Sequence, residues 1–187
     1  MSLQYAILGL LKYKAMSGYD LKTVFDNSIN FFWSAKLSQI YRELGSLETK
    51  GYVSSVIEAQ EKRPDRKVYS ITEEGIQALT SWLQSFPPVL SVPLRDEFIV
   101  HVFFGSQIAN EELEFQFKKL IKEQQEIISL YRGVEGIMTR YAEGSSQPFD
   151  RFYWELTLKR GFIIAEANIR WAEECLQELR KRKAEPN

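Results

Sequence analysis

From Lys36 to Arg42 the chain reads KLSQIYR, which brings Lys36, Ser38, Gln39, Tyr41 and Arg42 within two helical turns of one another. A Gln side chain pairs with adenine, Arg with guanine and Ser with several bases, while a Tyr hydroxyl reaches a phosphate oxygen. A second group of cations, Lys62, Arg63, Arg66 and Lys67, lies in EKRPDRK. Cations at the tip of a turn meet phosphates and add a salt-dependent attraction that ignores base sequence. The same residues also suit a wet helix face and a soluble turn, so the elements that carry them must decide.

Other chemistry has little to work with. His101 is the only histidine and Cys175 the only cysteine, so zinc ligation, an internal disulfide and a Cys–His nucleophile lack their residues. No Walker loop or dinucleotide fingerprint is present, and no cofactor is expected. The carboxylates of NEEL and AEEC read as solvated helix faces. With 187 residues, 44% of them hydrophobic, the chain can build a real core. A net charge of −1 supplies no global basic field, so any nucleic-acid site must be local. There is no signal-peptide pattern and no uncharged apolar run of membrane-spanning length, which predicts a soluble cytoplasmic protein, and the lack of a catalytic cluster predicts that it is not an enzyme.

The elements follow from period and punctuation. Leu3, Ala6, Ile7, Leu10 and Leu11 form a helical stripe ending near Lys14. Ser17 and Asp20 have capping-box spacing and predict a second helix to about Ser28. Leu37, Ile40, Leu44 and Leu47 predict a third helix over 35–50, capped by Ser34 and stopped by Gly51. Stretches 52–57 and 67–71, either side of EKRPDR, read as a β-hairpin, and Thr72 caps a fourth helix. Helix, helix, helix, hairpin, helix is the order of a winged helix-turn-helix domain, whose third helix enters the major groove. The Pro-punctuated FPPVLSVP marks a boundary. The expected division is a winged-helix domain over 1–86, a linker over 87–94 and a helical domain over 95–187. In the last, long helices are expected over about 96–105, from Asn110 into the 130s or 140s, and over about 149–183.

Three segments in order, SGYDL, SQIYRELGSLETKGYV and RKVYSITEEG, resemble the phenolic-acid decarboxylase regulator family, PadR. The region after Pro93 resembles the longer helical domain of one branch. The resemblance implies a mainly α-helical homodimer that binds DNA as a transcription regulator, mostly as a repressor, and releases it on a signal. It implies Lys36, Ser38, Gln39, Tyr41 and Arg42 as recognition-helix residues, and Arg63, Arg66 and Lys67 as wing residues. Many relatives have Pro directly after the motif Tyr, where this chain has Arg42, so base preference does not carry over.

In the last predicted helix Phe149, Phe152, Tyr153, Trp154 and Trp171 admit two readings. They form core and dimer interface, or they line an aromatic slot for a flat small-molecule effector. Two rivals stay open: a winged helix that docks a protein partner without DNA, and an enzyme built on the C-terminal helices.

Overall fold

Ile40, Leu44 and Leu47 recur every three or four residues, and a helix in this segment must therefore turn one side inward. The computed structural model, which describes residues 2–30, 32–59, 65–88, 95–143 and 150–184, shows all three fully buried. The chain divides into two units, Met1–Ser91 and Val92–Asn187.

The first unit holds α1 (Ser2–Leu11), β1 (Met16–Ser17), α2 (Gly18–Asp26), α3 (Leu37–Thr49), β2 (Val53–Glu58), β3 (Arg66–Ile71) and α4 (Glu73–Gln84). The strands form one antiparallel sheet in the order β1-β3-β2. This is a winged helix-turn-helix with β2 and β3 as the wing. Its core joins Ile7, Leu8 and Leu11 of α1, Leu21 and Phe25 of α2, the α3 seam, Val53, Tyr69 and Leu79. Tyr5 and Trp82 stack at 4.8 Å between α1 and α4.

The expected caps at Ser17 and Thr72 are present. Asp20 N–H donates to Ser17 Oγ at 3.2 Å and Ser17 N–H donates to Asp20 Oδ2 at 3.3 Å. Thr72 Oγ1 accepts from Gly75 N–H at 3.1 Å and donates to Gly51 O at 2.7 Å. Gly51, at φ 73°, ends α3 with the two bonds of a Schellman motif, Gly51 N–H to Glu48 O and Tyr52 N–H to Leu47 O.

The start of α3 corrects the sequence expectation. Its N-cap is Lys36 and not Ser34, and Gln39 satisfies the cap by accepting Lys36 N–H at 2.8 Å. Ala35 and Ile40, at the positions of a hydrophobic staple, are both buried and hold the entry of the chain. The strand β1 adds to the expected elements; in it Met16 pairs with Tyr69 and Ser17 with Val68.

The second unit holds α5 (Glu97–Phe103), a 3-10 turn (Gly105–Gln107), α6 (Asn110–Glu143) and α7 (Asp150–Ala184). The pairings Phe117–Trp171, Gln124–Asn168 and Tyr131–Phe162 show that α6 and α7 run antiparallel. One end is closed by Leu113, Phe117, Ala172 and Leu176, with Phe98 and Val102 of α5 packed on them. No helix among the described residues is long and apolar enough to cross a membrane.

Two substitutions test which residues hold the first unit. Leu44→Ala is expected to cost about 2–5 kcal/mol through the cavity it leaves. Gly51→Ala is expected to cost about 1–2 kcal/mol by forcing a Cβ into the left-handed region. Denaturant unfolding of each variant gives both values.

Candidate nucleic-acid interface

Because α3 buries Ile40, Leu44 and Leu47, its remaining residues face away from the core of the first unit. Lys36, Ser38, Tyr41 and Arg42 are exposed and Gln39 is half-buried. These five recognition-helix candidates therefore share the open first half of α3. The Arg42 side chain is 72% exposed and lies 3.9 Å from Glu43. Gln39 is held by its cap, yet a carbonyl oxygen has two lone pairs, so one lone pair and the amide N–H2 remain for a base edge.

Tyr41 is positioned by a residue it does not neighbour in sequence. Its ring lies over Gly18, the first residue of α2, where a Cβ would stand 2.4 Å from Tyr41 Cε1. With the ring where it stands only glycine leaves room there, and Tyr41 still keeps 47% of its surface exposed. The SGYDL segment thus caps α2 through Ser17 and Asp20 and leaves space at Gly18 for the Tyr41 ring of α3.

The wing cations divide into two groups. Arg63, with its neighbour Lys62, lies outside the described residues. Arg66 and Lys67, expected to face phosphates, are engaged by carboxylates of the same unit. Arg66 Nη2 lies 2.7 Å from Asp20 Oδ2, and Arg66 Nε 3.9 Å from Glu58 Oε2. Lys67 Nζ donates to Glu48 Oε2 at 2.7 Å, and Ser55 Oγ donates to the other oxygen of the same carboxylate. Lys67 also stands 5.1 Å above the Tyr69 ring. Sequence reasoning does not reach Asp20 and Glu48 as partners of the wing. Asp20 is visible there only as a cap, and no spacing rule connects Glu48 to a residue 19 positions away.

The hydrogen bond from Lys67, followed by that from Ser55, holds the Glu48 carboxyl below the usual range. Glu48 in turn raises Lys67.

The effector candidates do not form a single slot within one chain. Phe149 lies outside the described residues. Phe152 and Tyr153 are exposed and meet edge to face at 5.3 Å, and Trp154 is half-buried. Trp171 packs instead on Phe98 and Phe117, at 6.2 and 5.4 Å, in the closed end of the unit. Trp154 and Trp171 are 17 residues apart on one continuous helix, roughly 26 Å along its axis. A single aromatic slot built from residues 152–154 and Trp171 of one chain is therefore ruled out by the length of α7. The Cys175 thiol is pushed up by burial and by Glu174 and Glu178, which keeps it protonated and a poor nucleophile.

An open polar helix face beside a wing agrees with what the chain resembles. Residues 7–81 match the model of the transcriptional regulator PadR-like family, and residues 94–180 match that of the virulence activator alpha C-terminal region. The chain is 32% identical to the negative transcriptional regulator PadR of Bacillus subtilis, over 96% of its own length and 98% of that protein's. It belongs to the PadR-like family. The Bacillus subtilis PadR structure in complex with operator DNA matches with a TM-score of 0.80 at 30% identity, covering 96% of this chain and 99% of that one. The same regulator in complex with p-coumaric acid matches with a TM-score of 0.71 at 29% identity, with the same coverage. The family resemblance and the winged-helix fold expected from SGYDL, SQIYRELGSLETKGYV and RKVYSITEEG are thereby confirmed.

The Glu48–Lys67 pair gives a pH signature. A carboxyl whose folded pKa is lowered stabilises the fold fully above its ordinary value of 4.5, and that contribution is lost as pH falls through the lower folded value. A raised lysine contributes below 10.5 and is lost as pH rises past its folded value. Wild type is therefore expected to melt above Glu48→Gln near neutral pH. The gap should close as pH drops below about 4.5, which melting curves across pH will show.

Proposed function

We propose that this chain is a sequence-specific DNA-binding transcription regulator, acting chiefly as a repressor, in the cytoplasm. The observation that carries the reading is the solvent-open face of α3, with Lys36, Ser38, Gln39, Tyr41 and Arg42 presented together from one helix start. In a helix-turn-helix that end of the second motif helix enters the major groove. Lys36 and Tyr41 would meet phosphates, Gln39, Ser38 and Arg42 base edges, and Arg63 the DNA backbone. The relative held on operator DNA supports the same use of this fold.

The protein acts as a homodimer. Phe152, Tyr153, Leu156 and Ile163 of α7 are each about half exposed or more, and a two-fold partner is the commonest cover for such a face. Two winged helices related by that axis meet half-sites about 34–36 Å apart or a multiple of it, on a near-palindromic operator. The p-coumaric acid complex of the relative supports an aromatic small molecule as the signal that changes DNA binding.

Gln39→Ala and Arg42→Ala are expected to lower discrimination between operator and random DNA by about 1–3 kcal/mol for each bidentate base pairing removed. Arg63→Ala is expected to weaken binding to both DNAs alike. Competition titrations with duplexes from upstream of the protein's own gene measure the three effects. Equal losses on both DNAs for all three variants reject this division of roles.

A further inference from the structure

Four charged side chains at the root of the wing are arranged in two pairs, each reaching from β3 to a different helix. Arg66 grips Asp20 at the start of α2, and Lys67 grips Glu48 in the last turn of α3. Asp20 Oδ2 is shared: besides Arg66 it accepts Ser17 O–H at 2.8 Å and Ser17 N–H at 3.3 Å. Ser17 is itself paired in the sheet with Val68, two residues beyond Arg66. Arg66, Asp20, Ser17 and Val68 therefore close a ring that fastens β3 to the first turn of α2. Glu48 makes the matching link on the other side, joining β2 through Ser55 and β3 through Lys67 to the recognition helix.

We propose that Arg66 and Lys67 are positioning residues, which fix the angle of the wing against α2 and α3 and do not themselves bind the DNA backbone. The inference rests on the regulator reading above and refines it. An arginine that serves phosphate presents its guanidinium to solvent. Arg66 keeps 38% of its side chain exposed, but its Nε is enclosed without a hydrogen-bond partner among the described residues and one Nη is taken by Asp20. A phosphate brought to Arg66 also meets the Asp20 carboxylate, and one brought to Lys67 meets Glu48. Each pair is net neutral, so little attraction remains for an anion at that spot. Residues 27–36 separate α2 from the recognition helix, whose last turn holds Glu48. Fixing both helices to β3 sets where the described wing strands stand when α3 lies in the groove.

The decisive substitution is Asp20→Asn, which keeps an acceptor for the α2 cap and removes only the charge. If Arg66 were a phosphate ligand, Asp20 would compete with the DNA, and Asp20→Asn would bind more tightly. As a strut it has the opposite sign. Asp20→Asn and Arg66→Gln are each expected to weaken binding about threefold or more, and the double variant no further than the singles, because they act as one unit.

Anisotropy titrations of the full-length protein use a random-sequence duplex and one from upstream of its own gene, each at several salt concentrations. For Arg66→Gln and Lys67→Gln the slope of log K against log salt is expected to equal that of wild type. Arg63→Gln, the comparator, is expected to reduce it by about one for the phosphate it no longer neutralises. Melting curves confirm that each variant is folded, and Glu48→Gln gives the same test from the other pair. Tighter binding by Asp20→Asn, or a reduced slope for Arg66→Gln, overturns the inference while leaving the regulator reading intact. Failure of wild type to bind either duplex overturns both.

Discussion

The structure depends on the burial of one narrow seam on α3. Ile40, Leu44 and Leu47 have no accessible surface, and they meet α1, α2 and the sheet at the centre of the first unit. Rotating α3 by one residue, about 100°, would carry the seam out of the core and lose roughly 1.5–3 kcal/mol for each large side chain exposed. The helix is therefore locked about its own axis. The outward direction of Ser38, Gln39 and Arg42 is a by-product of what the opposite side must hide. Both ends are pinned as well, by the Ala35–Ile40 staple and Gln39 cap at one and by Gly51 at the other.

A second level of order ties the wing to this frame with charge. Glu48 receives hydrogen bonds from both wing strands, so the last turn of α3 and the hairpin form one network. Exposed ion pairs contribute little to stability one at a time, because solvent screens them and side-chain entropy opposes them. Their effect here is directional: Arg66 and Lys67 are adjacent on β3 and are drawn to separate helices. Asp20 serves the start of α2 and the wing at once, which joins a local backbone cap to a long-range contact.

Much of the fold is legible in the sequence because it rests on period and punctuation. The stripe of α3, the Ser17–Asp20 and Thr72 caps, the Gly51 stop and the hairpin each follow from residues close together in the chain. The start of α3 is not legible in the same way, because Lys36 has no acceptor to offer and the cap is supplied from within the helix by Gln39. A two-residue strand such as β1 has no alternation to detect; it forms because β3 presents an edge to it. At the site, the open face is legible from the buried one. The partners of Arg66 and Lys67 are not, since a basic run looks the same whether its neighbours in space are carboxylates or water. Residue type alone groups the aromatic residues of α7, whereas the rise of a helix sets Trp171 far from residues 152–154.

Self-neutralised cations also bear on how such a regulator would find its target. A genome offers a vast excess of wrong sites, and time lost on them grows with every charge offered to backbone at large. On the proposed reading, keeping two of the wing's positive groups occupied at home would weaken that indiscriminate hold. Residence on arbitrary duplex would be shortened, a larger share of molecules would stay in free diffusion, and the search would proceed more by hopping than by sliding.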